Sequence, residues 1–317
     1  MKLDRKNTFT NRIILVDGVG RTGKLDTANK ISSLTNVERH RMELNFELIP
    51  KLYSLGKIKK DAVVTLLRIE ADMRLYENMI GRNVNERLSD MTSIHNYKNQ
   101  QLYKERAKID NIDDAILNVY TENPIYLQST HDAISDANLF FDTFGERLYI
   151  IYLIRHPAQI VQSWYDKGFS NKIGENPKDT DITQEYKGNA IPVCANDIKD
   201  EYLYINGYER IIGMIHYFLK KDYDGYINLE AKWKNRVKIM DINEINGNQM
   251  EKFKEIADFI GEATTEYTMK MIRESGFKDT RDNINFLIKS IENKIGIKYK
   301  DMLDESIKIY KNFMEMN

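Results

Sequence analysis

An aliphatic run followed by a glycine-rich turn constrains the fold of this chain more than any other feature of its sequence. Residues 13–16 are all aliphatic, and the turn occupies residues 18–24. An uninterrupted aliphatic run is typical of a parallel strand that is buried on both faces. After the turn, Ala28, Ile31 and Leu34 recur at helical spacing. The order of strand, glycine-rich turn and helix predicts an α/β unit.

Further strands and helices alternate along the rest of the chain. Strands are predicted at residues 125–127, 148–154 and 237–240, and the long apolar run 148–154 predicts a central place in the sheet. Helices are predicted at residues 58–80, most of 84–118, 132–144, 157–167, 197–221, 250–260 and 284–316. This alternation predicts a three-layer α/β/α fold with a central parallel sheet and extra helices.

The same pattern predicts how the chain is organised. We expect one domain over residues 1–317, with a helical insertion at about residues 58–118. Residues 168–196 are rich in Gly, Asn, Asp and Lys and have little periodicity. Such a segment is predicted to be a long, mobile loop.

Charge and cysteine content exclude several classes of protein. Lys and Arg total 47 and Asp and Glu total 48, which gives a net charge of −1. The chain therefore lacks the uniformly basic composition of nucleic-acid binders, and we expect no nucleic-acid partner. It has one cysteine and no apolar run long enough to span a membrane, so we expect a reducing, cytoplasmic location. The sequence does not predict an oligomeric state.

Glycines at three positions make the turn a candidate phosphate site. Gly18, Gly20 and Gly23 fit the pattern G-x-G-x-x-G of dinucleotide-binding proteins. Gly18, Gly23 and Lys24 also fit the first part of a Walker A loop, G-x-x-x-x-G-K. In both patterns, backbone N–H groups turn toward an anion at a helix N-terminus. The turn therefore predicts phosphate binding, but it does not by itself indicate which class of nucleotide is bound.

Nearby residues weaken both interpretations. A dinucleotide site needs an acidic residue at the end of a second strand, and Glu38 follows a segment, residues 29–37, that does not read as a strand. A Walker A loop needs Ser or Thr at position 25 to hold Mg²⁺, and Leu25 cannot do so. A metal-dependent NTPase is therefore disfavoured, and no metal site is expected.

A second motif lies directly after the predicted central strand. Arg155 follows the strand, Pro157 begins the next helix, and Ser163 lies eight positions after the arginine. A guanidinium group at a strand end offers a planar fork that suits a phosphate. A hydroxyl on the following helix can add a hydrogen bond from the side.

Residues 151–163 resemble the 3′-phosphate-binding motif of PAPS-dependent sulfotransferases. That family has a hydrophobic strand, then Arg-x-Pro, and Ser eight positions after the Arg. The glycine turn is similar to the family's 5′-phosphosulfate loop, and residues 238–261 resemble its later strand and helix. The resemblance implies the P-loop-containing sulfotransferase fold.

The resemblance also implies roles for individual residues. Arg155 and Ser163 would bind the 3′-phosphate of the donor, whereas Arg21, Thr22 and Gly23 would bind its 5′-phosphosulfate. Arg21 would in addition stabilise the transferring sulfonate.

The turn departs from the family at two positions. The family usually has two hydroxyl residues after the last glycine of the turn, and here Lys24 and Leu25 occupy those places. Lys24 would either supply charge in place of a hydroxyl or mark an altered donor site.

Sulfonate transfer also needs a base for the acceptor hydroxyl. His131 follows a predicted strand at the edge where parallel sheets bind ligands. Glu43 and Glu47 lie between the first two helices, where related enzymes place a glutamate. Lys278 and Arg281 are further candidates for contacts with the nucleotide.

These features together predict a sulfotransferase that uses PAPS, releases PAP and needs no metal. The acceptor would be a hydroxyl or amine on a small molecule, sugar or peptide, and Arg21 would act with His131 or Glu43 in catalysis. The alternatives are a P-loop kinase or NTPase, and a non-catalytic nucleotide-binding protein that kept the fold.

Overall fold

A computed structural model describes residues 1–6, 8–177, 181–276 and 283–316. The strands in this part of the chain are β1 (Arg12–Asp17), β2 (Ile125–Ser129), β3 (Leu148–Ile154), β4 (Thr183–Tyr186), β5 (Asn189–Pro192) and β6 (Val237–Asp241). A parallel four-stranded sheet has the order β2-β1-β3-β6. The strand predicted to be central, β3, therefore lies inside the sheet.

The helices that the described residues form are more numerous than the strands. They are α1 (Lys24–Ile31), α2 (Asn45–Ser54), α3 (Lys60–Met79), α4 (Gln100–Arg106), α5 (Ile112–Glu122), α6 (Ala137–Phe144), α7 (Pro157–Asp166), α8 (Gly207–Ile227), α9 (Ile242–Gly247), α10 (Gln249–Ile260), α11 (Glu266–Glu274), α12 (Ile284–Glu292) and α13 (Ile297–Glu315).

Alternate side chains of β1 enter two separate hydrophobic cores. Ile13 and Leu15 pack in a core that includes residues of α3, α6, α7, α8 and α13. Ile14 and Val16 pack on the opposite face with residues of α1 and α10. Because successive strand residues point to opposite faces, this arrangement covers the sheet on both sides. The predicted three-layer α/β/α fold is confirmed.

The helical insertion is less regular than its sequence predicts. Helix α3 matches the prediction, but residues 84–99 form no α-helix. Side chains there bond to nearby backbone N–H groups: Asn85 accepts from Arg87, Asp90 from Thr92, and Ser93 from His95. Such local bonds offer the backbone an alternative to helix.

Two other segments differ from their predictions. The segment 168–196, predicted as a loop, contains the antiparallel hairpin of β4 and β5. Its turn places Lys187 and Gly188 at positive φ, as tight hairpin turns require. Helix α8 begins at Gly207 instead of residue 197, because the Asn206 side chain accepts hydrogen bonds from the N–H groups of Tyr208 and Glu209 and caps the helix there.

The parallel strands bring the predicted site residues to one edge of the sheet. Val16 is in register with Ser129, and Asp17 with Tyr152. The chain therefore leaves β1, β2 and β3 at the same carboxyl edge, where open α/β sheets bind ligands. Asp17 fastens this edge, because its carboxylate accepts from Thr130 Oγ1 at 2.8 Å and from the N–H of Ile134 at 2.7 Å.

Candidate functional site

The glycine turn lies between β1 and α1 and leaves no room for side chains at two of its positions. Gly18 and Gly23 have φ of +139° and +85°, in the range that favours glycine. A Cβ at Gly18 would collide with the carbonyl oxygen of Leu153, and one at Gly23 would lie 2.8 Å from Ile242 Cδ1. Both glycines are therefore required by the backbone path.

The third glycine of the turn packs against an aromatic ring. The indole Nε1 of Trp164 donates a hydrogen bond of 2.9 Å to the carbonyl oxygen of Gly20. A Cβ at Gly20 would lie 3.3 Å from the indole. Helix α7 thereby holds the middle of the turn in place.

The helix that follows the turn begins without a side-chain cap. Gly23 occupies the N-cap position of α1 and has no side chain that could accept from the first N–H groups of the helix. Such groups carry partial positive charge and can bind an anion. The Oγ1 of Thr22 is buried and has no hydrogen-bond partner among the described residues.

Lys24 does not extend into solvent. Its Nζ donates a hydrogen bond of 2.6 Å to the carbonyl oxygen of Gly18, and the residue is buried. Burial lowers the pKa of Lys24 to about 8, although the carboxylates of Glu47, Asp17 and Asp132 oppose this shift. The ammonium group is therefore held beneath the turn at a cost in solvation.

Arg21 of the predicted donor site contacts both Ser163 and Arg155. Arg21 Nε donates to Ser163 Oγ at 3.0 Å, and Arg155 Nη1 donates to the carbonyl oxygen of Arg21 at 3.0 Å. Arg21 has a φ of +74°, which is unusual for a residue with a side chain. The residues predicted separately from the two motifs are therefore brought together.

These two guanidinium groups repel each other. Burial lowers the pKa of Arg155, and the charge of Arg21 lowers it further, although Asp241 opposes both effects. Neither arginine forms an ion pair with a carboxylate in the described part of the chain. Two neighbouring cations that no carboxylate neutralises are suited to bind an anion.

A groove of about 700 Å³ runs along the turn and the start of α1. Its lining includes Arg21, Arg155, Lys24, Asn243 and His131. Its size lies within the range of pockets that bind cofactors and drug-sized ligands.

A second cavity of about 290 Å³ adjoins this groove. Gly20, His131 and Phe169 line both. A group bound in the groove and a molecule in the cavity would therefore meet beside His131.

His131 forms a hydrogen bond with a glutamate on α2. Its Nδ1 lies 2.7 Å from Glu47 Oε1. Burial alone would raise the pKa of Glu47, but its contact with His131 and the charges of Lys24 and Lys51 outweigh burial and lower it. Because an ionised carboxylate only accepts hydrogen bonds, Nδ1 is the donor, and Nε2 is left to accept a proton.

Glu43, predicted as a catalytic residue, lies elsewhere. Its carboxylate accepts from Arg41 Nε at 2.6 Å and lies 3.5 Å from Arg74 Nε. It lines neither the groove nor the cavity. The reason is that Glu43 precedes α2, whereas Glu47 lies on the face of α2 that meets His131.

A buried ion cluster in the cavity was not predicted from the sequence. Lys51 Nζ lies 2.7 Å from Asp181 Oδ1 and 3.9 Å from Asp132 Oδ2. These contacts outweigh the burial of Lys51 and raise its pKa. The spacing of Glu47 and Lys51, one turn apart on α2, is the only signal in the sequence that links this cluster to His131.

The remaining candidates have other places. Glu38 is buried and accepts from Arg106 and Tyr103, so it is part of the core that joins the helical insertion to the sheet. Lys278 and Arg281 lie outside the described residues. Among the residues that are described, no group of three or more His, Cys, Asp or Glu side chains could hold a metal ion. None of the described helices has the length and hydrophobicity needed to cross a bilayer.

Comparisons with known proteins place this geometry in a family context. A family model described as a sulfotransferase domain matches residues 83–314. No curated protein matches the sequence.

Several solved structures are similar to this chain at low sequence identity. The sulfotransferase domain from the curacin biosynthetic pathway is 10% identical, with a TM-score of 0.50 over 94% of this chain and 96% of that one. The sulfotransferase domain of the Synechococcus PCC 7002 olefin synthase is 12% identical, with a TM-score of 0.48 over 99% and 98%. The mouse sulfotransferase SULT7A1, solved with PAP, is 12% identical, with a TM-score of 0.41 over 99% and 91%.

The family match and the fold agree with the resemblance in the two sequence motifs. The matched region includes Arg155 and Ser163, whereas the glycine turn precedes it. Because the family model covers well over half of its length, this chain belongs to the sulfotransferase family.

Proposed function

We propose that this protein transfers a sulfonate group from PAPS to a hydroxyl group of an acceptor molecule. The observation that carries the proposal is the pair Arg21 and Arg155, two neighbouring guanidinium groups without a carboxylate partner in the described chain. They line a groove that meets a second cavity at His131. Two adjoining sites with a candidate base between them are what a transfer between two substrates needs.

The residues of the groove fit a donor with phosphates at two positions. Arg155 and Ser163 would bind the 3′-phosphate, and the turn from Gly18 to Gly23 would bind the 5′-phosphosulfate with its N–H groups. PAPS, when bound, supplies an activated sulfonate. Arg21 and Lys24 would stabilise the negative charge that this group carries during transfer.

Glu47 and His131 would act together on the acceptor. The hydrogen bond from Nδ1 to Glu47 orients the imidazole. Nε2 of His131 would take the proton of the acceptor hydroxyl as its oxygen attacks sulfur. In this scheme, Glu47 replaces Glu43 as the candidate catalytic glutamate.

Calorimetric titration with PAP tests the donor site. We expect wild-type protein to bind PAP at micromolar concentration and Arg155→Ala to bind at least tenfold more weakly, because a charge-assisted hydrogen bond contributes about 1.5–3 kcal/mol. Arg236→Ala is the matched control, because Arg236 lies over the ring of Tyr149 and precedes β6 at the opposite edge of the sheet. Absence of PAP binding to the wild type would refute the proposed donor.

A second experiment separates catalysis from binding alone. With PAPS and a panel of phenols, sugars and alcohols, the enzyme should release PAP only when an acceptor is present. If PAP binds and no acceptor is sulfated, the protein is a nucleotide-binding member of its family without the transfer activity.

A further inference from the structure

The cavity beside His131 has apolar walls. Trp164, Phe169 and Phe218 form an aromatic group, with ring centroids 5.5 Å apart for Trp164 and Phe169 and 6.4 Å apart for Trp164 and Phe218. Leu48 and Ile173 also line the cavity. Such walls favour an acceptor with a hydrocarbon or aromatic frame.

One carboxylate in this cavity, that of Asp132, accepts no hydrogen bond from the described residues. The Asp132 side chain is 15% exposed, and no described side chain or backbone group donates a hydrogen bond to its carboxylate. Its nearest cation, Lys51 Nζ, is 3.9 Å away and lies closer to Asp181, at 2.7 Å. Burial raises the pKa of Asp132 to about 6, so at neutral pH the group is ionised in poorly solvating surroundings.

Two other charged groups that line the cavity have hydrogen-bond partners of their own. Glu47 bonds with His131, and Lys172 Nζ donates to the carbonyl oxygen of Lys167 at 2.5 Å. Lys51 is thus shared between Asp132 and Asp181, and Lys221 is the other cation whose charge acts on Asp132. A buried charge costs free energy unless an opposite charge pairs with it, and a bound ligand can provide that charge.

We propose that the acceptor is a small hydroxyl-bearing amine, whose ammonium group pairs with Asp132 while its hydroxyl lies at His131. This inference rests on the proposed sulfonate transfer for the fate of the hydroxyl, but the pairing at Asp132 stands on the cavity alone. A cavity of about 290 Å³ lies near the lower end of the range for pockets that bind small molecules. A single aromatic ring with a short aminoalkyl arm suits a space of this size.

A matched pair of phenols tests the charge. Tyramine and 4-propylphenol have the same shape, and only tyramine carries an ammonium group. Each is titrated by calorimetry into wild-type protein, with and without saturating PAP. We expect tyramine to bind at least tenfold more tightly than 4-propylphenol, because a charge-assisted hydrogen bond at a buried site is replaced by a methyl group.

Two isosteric variants locate the effect. Asp132→Asn should reduce the preference for tyramine to about twofold or less. Asp136→Asn should retain the preference, because Asp136 bonds with Ser54 Oγ and does not line this cavity. Thermal unfolding shows whether each variant is folded. If a variant does not fold, the comparison of tyramine with 4-propylphenol on wild-type protein still tests the inference.

Several results would overturn the inference. The pairing of an ammonium group with Asp132 would be contradicted if the two phenols bound equally or if 4-propylphenol bound more tightly. It would also be contradicted if Asp132→Asn kept the preference for tyramine. Loss of sulfation of both phenols in Asp132→Asn, with their binding unchanged, would instead identify Asp132 as the base. If PAP fails to bind while tyramine is still preferred in the absence of PAP, the transfer function fails and the inference about the cavity survives.

Discussion

Replacing Lys24 with methionine removes an ammonium group that the fold buries beneath the glycine turn. The group is kept charged at neutral pH even though its pKa is lowered from 10.5 to about 8. The difference between 10.5 and about 8 corresponds to roughly 3 kcal/mol of destabilisation at pH 7. Methionine has a similar length and carries no charge.

The sign of the pH dependence follows from proton binding. Between pH 8 and pH 10.5 the unfolded chain holds a proton on Lys24 that the folded protein has lost. The free energy of unfolding therefore rises with pH in that window. From pH 7 to pH 9.5, wild-type protein should gain about 2 kcal/mol relative to Lys24→Met, by the linkage between pKa and stability.

Urea unfolding at several pH values measures this difference. Lys254→Met is the matched control, because Lys254 is exposed on α10 and water solvates it in both states. A constant difference between wild type and Lys24→Met from pH 7 to pH 9.5, or a gain by the variant, would contradict the burial of a charged Lys24.

The same variant tests what the buried ammonium does for function. PAP lacks the sulfonate, so Lys24→Met should weaken binding of PAPS about tenfold more than binding of PAP. In the wild type, this discrimination between PAPS and PAP should decline above about pH 8, as Lys24 loses its proton. Equal losses for PAPS and PAP would place Lys24 in contact with the nucleotide instead of the sulfonate.

Three further predictions concern other residues of the site. His131→Ala should lower kcat in steady-state assays at least a hundredfold and Glu47→Gln by less, because general bases contribute about 10²–10⁴ to the rate. Glu43→Gln should change kcat less than threefold, and a larger loss for Glu43→Gln than for Glu47→Gln would make Glu43 the catalytic glutamate. Gly23→Ala should destabilise the protein by several kcal/mol in urea unfolding, on the order of the costs of φ strain and overpacking combined; unchanged stability would contradict the contact with Ile242. Trp164→Phe should weaken PAP binding several-fold, through loss of a hydrogen bond of about 1 kcal/mol; unaltered affinity in calorimetry would show that the turn keeps its shape without the indole.

The strands and the donor residues could be predicted because their signals are local. Residues 148–154 form one uninterrupted apolar run, and the same residues form β3. Arg155 and Ser163 are fixed by the strand end and by helical spacing after Pro157, so their neighbourhood follows from secondary structure alone. The contact of both with Arg21 needed only the prediction that β1 and β3 are parallel.

The choice between Glu43 and Glu47 could not be made in the same way. It depends on which face of α2 is turned toward β2. Tertiary packing sets the rotation of the helix about its axis, for example the contact of the buried Phe46 with Tyr126. The Asp132–Lys51–Asp181 cluster joins three segments that are far apart in sequence. Periodicity in the sequence predicts helices and strands, but it does not predict contacts between segments so far apart.

The position of Trp164 gives the protein an optical reporter of its own site. The chain has two tryptophans, and the other, Trp233, is stacked on Phe141 at 5.0 Å in the segment that precedes β6. Trp164 contacts the glycine turn through Gly20 and also forms a wall of the cavity. In a Trp233→Phe background, its emission would therefore respond to ligands on either side, and rapid mixing could resolve the order in which donor and acceptor bind.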